Sequence, residues 1–228
     1  MRIALLGATG RTGKHVLTAA LNHGHDVTVL VRDPTKIPGS DLTRIRTVVG
    51  DPSSPDSLKQ VLSPAEVVIS ALGATDGQPY LHTRTACALV PLMIAGGPQR
   101  FIGISCSHVT WHGDRKNVRD GITSAFARVY RKDLVLDKSG EFPIWHFSKL
   151  NWTLVRPHTL TDEPASGRQL EHDPHRPPSN RSVARADLGA FLLQVASKNL
   201  HPREAPFVAT ATGAERSIPM GAKRSTVP

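Results

Sequence analysis

Two stretches decide how this chain folds: LLGATGRTG at residues 5–13 and VTVLVRDPTK at residues 27–36. The first closes an apolar run, RIALL at 2–6, with glycines at 7, 10 and 13. A helical pattern follows from Thr12 to Asn22, with Val16, Leu17, Ala20 and Leu21 on one face and Gly24 past its end. Strand, glycine turn and helix together form the context that a dinucleotide requires. The first glycine permits a tight turn, the second lets the backbone approach a pyrophosphate, and the third lets helix and strand pack closely. The helix N-terminus adds unpaired N–H groups and a partial positive charge. The spacing is G-x-x-G-x-x-G rather than G-x-G-x-x-G. The signal therefore takes its weight over an ordinary strand–helix turn from its place between a clean strand and a clean helix.

The second stretch indicates which dinucleotide. Strand VTVLV (27–31) ends at Arg32, where an acidic residue would accept from a ribose 2′-hydroxyl and select NAD. Arg32 and, four residues on, Lys36 instead suit a 2′-phosphate, and Arg11 in the glycine loop is within reach of the same group. The expected cofactor is NADP, used as NADPH. Asp33 stays open as a turn cap or a ribose ligand. Asp51, after the third strand IRTVV (45–49), stays open as an acceptor for the adenine amine or an Asp-Pro turn residue. Leu72 and Gly73 follow the fourth strand, EVVISAL (66–72), and small residues there permit close approach to adenosine and pyrophosphate.

Strand-like and helix-like segments alternate beyond this point. A short helix is expected at 55–62 and a longer one at 80–95 with Pro91 as a kink, followed by a fifth strand RFIGIS (100–105). Helices are expected at 119–138 and 143–149, a sixth strand NWTLVRP at 151–157, an amphipathic helix at 183–197 and a last strand APFVAT at 205–210. Residues 163–182, rich in proline and polar groups, read as a loop, and 211–228 as a flexible tail. Near-continuous apolar strands separated by helices imply an α/β class fold. It is a Rossmann-like doubly wound parallel sheet of order 3-2-1-4-5-6, with room for a seventh strand and a small C-terminal substrate-side region. Residues 1–210 are expected to form one nucleotide-binding domain, with substrate-side elements from about 106–182.

Composition narrows the class further. The chain has 228 residues, a formal net charge of +9 and two cysteines, Cys87 and Cys106, too far apart for a metal spacing. There is no apolar run long enough for a membrane helix and no signal-peptide cleavage region, so a reduced, cytoplasmic protein is expected. Basic residues are scattered and aromatics make up only 5%, which leaves no stacking platform for single-stranded nucleic acid. The densest basic stretch, 115–132, reads as a solvated, partly helical face. Neither nucleic acid nor membrane is an expected partner, and the chain is expected to be a monomer or weak homodimer. His108 and His112 stand four apart without a third ligand, so no metal is expected.

GATGRTG, VTVLVRDP, VVGD, VVISALGA, FIGIS, the WTLVRP strand with its following LTD, and ARADLGAFLL carry a resemblance. The chain resembles the NAD(P)H-binding, NmrA-like branch of the atypical short-chain dehydrogenase/reductases. Within that branch it is most similar to the flavin reductase / biliverdin-IXβ reductase group. The resemblance implies an NADPH-dependent reductase whose shallow site presents the nicotinamide to a planar acceptor such as a flavin, a tetrapyrrole or a quinone. Carried over by position, Gly7, Thr9, Gly10, Thr12 and Gly13 would hold the pyrophosphate. Arg32 and Lys36 would hold the 2′-phosphate, Asp51 the adenine, and Leu72 and Gly73 would line the adenosine and ribose. Ser105 and Cys106 fall beside the nicotinamide, and His158 falls where the reductase group also places a histidine. The chain departs from the group at Cys106, where the group has serine, and at EFPIWHFSKLN (141–151).

Neither tyrosine satisfies the Tyr-x-x-x-Lys pattern: Tyr80 is followed four on by Arg84, and Tyr130 by Leu134. Hydride transfer does not require that pair, because the cofactor carries the chemistry and the protein holds donor and acceptor together. His158 is the first choice for a proton donor, equally read as a residue that orients a loop or contacts the cofactor amide. Ser105 is read as a partner of the nicotinamide amide or the substrate, or as a strand-end residue. Cys106 reads as a small buried hydrophobe ahead of a reactive thiol. Arg156 is expected to serve structure at its strand end, and Asp187 to cap or salt-bridge the helix that follows. Three functions stand open: the reductase above, a specialised biosynthetic reductase or dehydratase, and a non-catalytic NADP-binding redox sensor.

Overall fold

The computed structural model describes residues 1–73, 78–117, 132–180 and 182–212. The tail and most of the basic 115–132 stretch, including Tyr130, lie outside the described residues, as does the first part of the helix expected at 119–138.

Strand β1 (Arg2–Leu6) is buried on both faces and lies between β2 (Asp26–Val31) and β4 (Val67–Ser70), both parallel to it. Outward from β2 stands β3 (Arg46–Val49). Outward from β4 stand β5 (Arg100–Ile104) and β6 (Asn151–Pro157). The order 3-2-1-4-5-6 is the expected one, and it reverses between β1 and β4, the point at which such sheets bind ligands. A seventh strand, β10 (Phe207–Thr210), joins β6 in parallel.

The alternation of side chains sorts the apolar residues onto the two faces. Ile3, Leu5, Val67, Ile69 and Ile102 face α1 (Gly13–Asn22) and α6 (Arg185–Ser197), with Val16, Leu17, Leu188 and Leu192. Ala4, Leu6, Val68, Phe101 and Leu154 face the other layer: α3 (Pro55–Leu62), α4 (Leu81–Ile94) and α5 (Lys132–Phe147). Gly189 of α6 lets that helix close on α1, because a Cβ there would stand 3.0 Å from the His15 backbone. A four-residue turn of helix, α2 (Gly39–Leu42), precedes β3.

Three expectations are corrected. The helices at 119–138 and 143–149 are not separate: within the described residues a single helix runs through Pro143 from Lys132 to Phe147. It buries Phe142 and Trp145, and Trp145 stacks on Phe101 of β5 with ring centroids 3.7 Å apart. The departing stretch EFPIWHFSKLN thus supplies an aromatic core. The segment 163–182 is not all loop: β8 (Leu170–Asp173) pairs antiparallel with β10 as an eighth strand at the sheet edge. Likewise β7 (Thr159–Thr161) and β9 (Ser182–Ala184) form a two-stranded parallel ribbon. Among the described residues Asp187 neither caps nor salt-bridges α6; it accepts from the Ser166 amide at 3.0 Å and the Ser166 hydroxyl at 2.7 Å, tethering the loop after β7. Among the described residues no helix is long and apolar enough to cross a membrane.

Candidate functional site

The glycine turn is built by contacts that leave no space for side chains. Gly7 has φ +78°, and a Cβ on it would lie 2.9 Å from the Ala71 carbonyl and the Leu72 nitrogen. A Cβ on Gly13 would lie 1.9 Å from the Gly7 carbonyl oxygen, so helix α1 can start only where it does if residue 13 is glycine. The Gly10 amide donates to the Gly7 carbonyl at 3.0 Å and closes the turn. Thr12, buried at the N-cap, makes no side-chain capping bond. Thr9 is exposed beside it. This cradle could hold a pyrophosphate.

The groups expected at the adenosine end come together. Arg32, exposed just past β2, donates to Gln78 Oε1 at 3.1 Å, and Gln78 Nε2 donates to Asp51 Oδ2 at 3.2 Å. Asp51 also accepts from the Ser53 amide at 2.7 Å and hydroxyl at 2.5 Å, and Arg84 of α4 donates to that hydroxyl at 3.3 Å. Partial burial opposes ionisation of Asp51. The Ser53 and Gln78 bonds and the Arg84 charge outweigh it, and the carboxyl is held below its usual range. Asp33 is a turn cap: its carboxylate accepts from the Thr35 amide at 3.0 Å, and this with the Thr35 hydroxyl holds its pKa down. Lys36 is exposed, 4.0 Å from Asp33. Arg11 is engaged by Asp162, just past β7, which also accepts from Arg185 at 2.8 Å. A salt-bridged triad therefore joins the glycine loop to the β7–β9 ribbon. Leu72 packs partly buried against the core and Gly73 is exposed at the end of β4.

Ser105, Cys106 and His158 lie along the carboxyl edge of the sheet, past the ends of the neighbouring strands β5 and β6. Past β5, the Ser105 amide donates to the Val155 carbonyl at 2.7 Å and the Ser107 amide to the Pro157 carbonyl at 3.1 Å, so this segment prolongs the ladder with β6. The Ser105 hydroxyl is buried and without a hydrogen-bond partner among the described residues. Cys106 is partly buried against the apolar cluster of α4 and α5, as a small hydrophobe would be. His158 meets His108 edge-on with ring centroids 5.2 Å apart and lies 3.2 Å from the Thr159 hydroxyl. It lines a cavity of about 10 Å³, the size of one water, with Ser107, Arg156 and Asn180. Arg156 is fully buried and structural as expected, donating to both Asp114 oxygens at 2.7 and 2.8 Å and lying over the Phe207 ring.

Beneath this edge lies a cluster that the sequence reading passed over. Lys138 of α5 is buried and donates to the Ile104 carbonyl at 2.6 Å, His82 Nδ1 at 2.8 Å and Glu141 at 3.2 Å. An ammonium has three donors and no acceptor, so His82 is held as the neutral tautomer with its proton on Nε2. Burial and the Lys138 charge keep the His82 pKa well below its ordinary value. Asp137, its neighbour, accepts from the amides of His82 and Thr83 at 2.9 and 2.8 Å and so caps α4. Lys138 and Glu141, three apart on one helix face, were the available signal; a search for a tyrosine four residues ahead of a lysine misses them. Among the described residues no group of three or more histidine, cysteine or carboxylate side chains is placed to hold a metal ion.

Residues 7–199 match the family described as NAD(P)H-binding, and the chain belongs to that family. A relative, the uncharacterized protein YwnB of Bacillus subtilis strain 168, is 25% identical over 168 residues, covering 74% of this chain and 76% of that one. Solved structures share the fold. A short-chain dehydrogenase/reductase of Veillonella parvula DSM 2008 superposes with a TM-score of 0.77 at 19% identity, over 96% of this chain and 99% of that one. A protein of Streptococcus pneumoniae TIGR4 provisionally assigned as an NADH-flavin reductase gives 0.76 at 24% identity, over 92% and 100%. ChuY of Escherichia coli O157:H7, described as an anaerobillin reductase, gives 0.75 at 17% identity, over 94% and 100%.

Proposed function

We propose that this protein is an NADPH-dependent oxidoreductase that passes a hydride to a small planar acceptor such as a flavin, a quinone or a tetrapyrrole. The observation that carries the reading is the meeting of Arg32 and Asp51, through Gln78, on a sheet whose first turn is closed so tightly that a Cβ at residue 7 or 13 would strike backbone. The cradle, Thr9 and Thr12 offer backbone and side-chain donors to a pyrophosphate. Arg32 and Lys36 offer cations to a 2′-phosphate, and Asp51 offers a carboxylate to the adenine amine. Leu72 and Gly73 form the floor under adenosine and ribose.

With the adenosine held at this end, Ser105, Cys106 and His158 would be the residues on the nicotinamide side. Bound NADPH supplies the hydride. The chain's own part is to hold donor and acceptor in contact and to exclude water. Ser105 would offer its hydroxyl to the carboxamide, and His158 would be the imidazole that hands a proton to an acceptor that does not take it from solvent. The wider acceptor class is supported by two proteins of the same fold, one provisionally assigned as an NADH-flavin reductase and one described as an anaerobillin reductase.

Two measurements test this. NADPH oxidation by the purified protein should proceed with FMN or a naphthoquinone; tight NADP binding without turnover on any acceptor would point instead to a sensor. Arg32→Ala should weaken NADPH binding by about 2 kcal/mol, the weight of a lost charge-assisted pair, and leave NADH nearly unchanged. Equal losses for both nucleotides would remove the case for the phosphorylated cofactor.

A further inference from the structure

Gln78 spans the two groups on which the adenosine site depends. A guanidinium only donates and a carboxylate only accepts, so Arg32 on one side and Asp51 on the other fix which end of the Gln78 amide is which. An adenosine 2′-phosphate offers the same two polarities: phosphate oxygens that accept from Arg32 and an exocyclic amine that donates to Asp51. We propose that Gln78 is an internal stand-in for the nucleotide, occupying Arg32 and Asp51 until adenosine 2′-phosphate displaces it. The proposal rests on the assignment of Arg32 and Asp51 to the adenosine end.

The surroundings suit a bond network that is exchanged rather than created. Asp51 is already oriented by the Ser53 amide and hydroxyl, and Arg84 holds Ser53 from α4. Displacing Gln78 therefore leaves the carboxylate aimed as before, and the ligand inherits a pre-set site. The Arg32–Gln78 contact is exposed, so breaking it uncovers no buried polar group. A ligand bearing both the amine and the 2′-phosphate replaces both of the amide's bonds, and at Arg32 it sets a charged phosphate oxygen in place of a neutral amide oxygen.

The test uses 2′,5′-ADP, which carries the adenosine 2′-phosphate without the nicotinamide, titrated calorimetrically into the full-length wild-type protein, Gln78→Ala, Gln78→Glu and Arg32→Ala. Removing the competitor should tighten binding to Gln78→Ala by roughly three- to tenfold, the equivalent of one net hydrogen bond. Gln78→Glu, whose carboxylate would pair with Arg32 and oppose the incoming phosphate, should weaken it by a similar factor. Binding to Gln78→Ala that is unchanged or weaker overturns the stand-in role, because Gln78 would then be idle or itself a nucleotide ligand. Failure of the underlying reading looks different: the wild type would not bind 2′,5′-ADP, or Arg32→Ala would bind it as well as the wild type. If Gln78→Ala does not fold, the side-chain amide resonances of Gln78 in the wild type decide. They should shift on saturation with 2′,5′-ADP, and amide signals that stay in place contradict displacement.

Discussion

At the carboxyl ends of β2 and β3, Arg32 and Asp51 are tied by bonds that a ligand can take over. The Gln78 amide bridges them near the surface, and what it offers each side a nucleotide also offers. At the ends of β5 and β6 the ties are of another kind. Arg156 is locked on Asp114 and on the carbonyls of Ala205, Val109 and Pro174, and Lys138 is locked on Ile104, His82 and Glu141, all within the protein. Releasing these would strand buried charge, which costs far more than an exchanged surface bond. One half of the proposed site would thus trade partners while the other stays fixed, the division that a cofactor gripped at its adenosine end would require.

Breaking the fixed half should give the largest effect. Asp114→Ala leaves the Arg156 guanidinium, 0% exposed, without its counter-ion. It should cost about 3–5 kcal/mol of stability in urea unfolding. A loss below 1 kcal/mol would show that this end is not rigid after all. Gly13→Ala comes next, because its Cβ would overlap the Gly7 carbonyl. A cost of roughly 1–3 kcal/mol is expected, together with loss of the thermal shift given by NADP. A variant that keeps both would remove the cradle from the account.

The third prediction concerns pH and His82. Its folded pKa is depressed by burial and by Lys138, so below about pH 6.5 the unfolded chain takes up a proton that the folded one refuses. Stability should therefore be full above that pH and fall as pH drops, by up to about 1.4 kcal/mol per unit, until the folded imidazole itself titrates. His82→Gln should flatten this part of the profile between pH 7 and 5; an identical slope in both proteins would mean that His82 is not held neutral. The smallest effect is expected at Cys106, whose thiol packs against the apolar cluster. Cys106→Ala should change stability by less than about 1.5 kcal/mol and leave NADPH turnover intact. Loss of turnover would make the thiol a participant.

The exchangeable half was the more legible in the sequence. Glycines at 7, 10 and 13 and an arginine closing the second strand are local features, and local features survive the absence of coordinates. The strand order followed from runs such as VTVLV and VVIS that are apolar on both faces. The fixed half depended on long-range pairing. Strand β8, LEHD, is short and polar and is called into being by β10, some forty residues further on. Helix α5 carries Pro143 on its exposed side, so the proline that reads as a break is absorbed. Lys138 and Glu141 look like surface charges until the Ile104 carbonyl and His82 are placed around them. Asp187 sits in the first turn of α6, where a helix dipole favours a carboxylate, yet its bonds go to Ser166.

The central claim is that a glycine cradle and a guanidinium select the phosphorylated dinucleotide. Calorimetric titration of the wild-type protein with NADPH and with NADH tests it most directly. NADPH should bind at least about tenfold more tightly, and the preference should disappear in Arg32→Ala. Equal affinity for the two nucleotides in the wild type, or binding of neither at millimolar concentration, would contradict it.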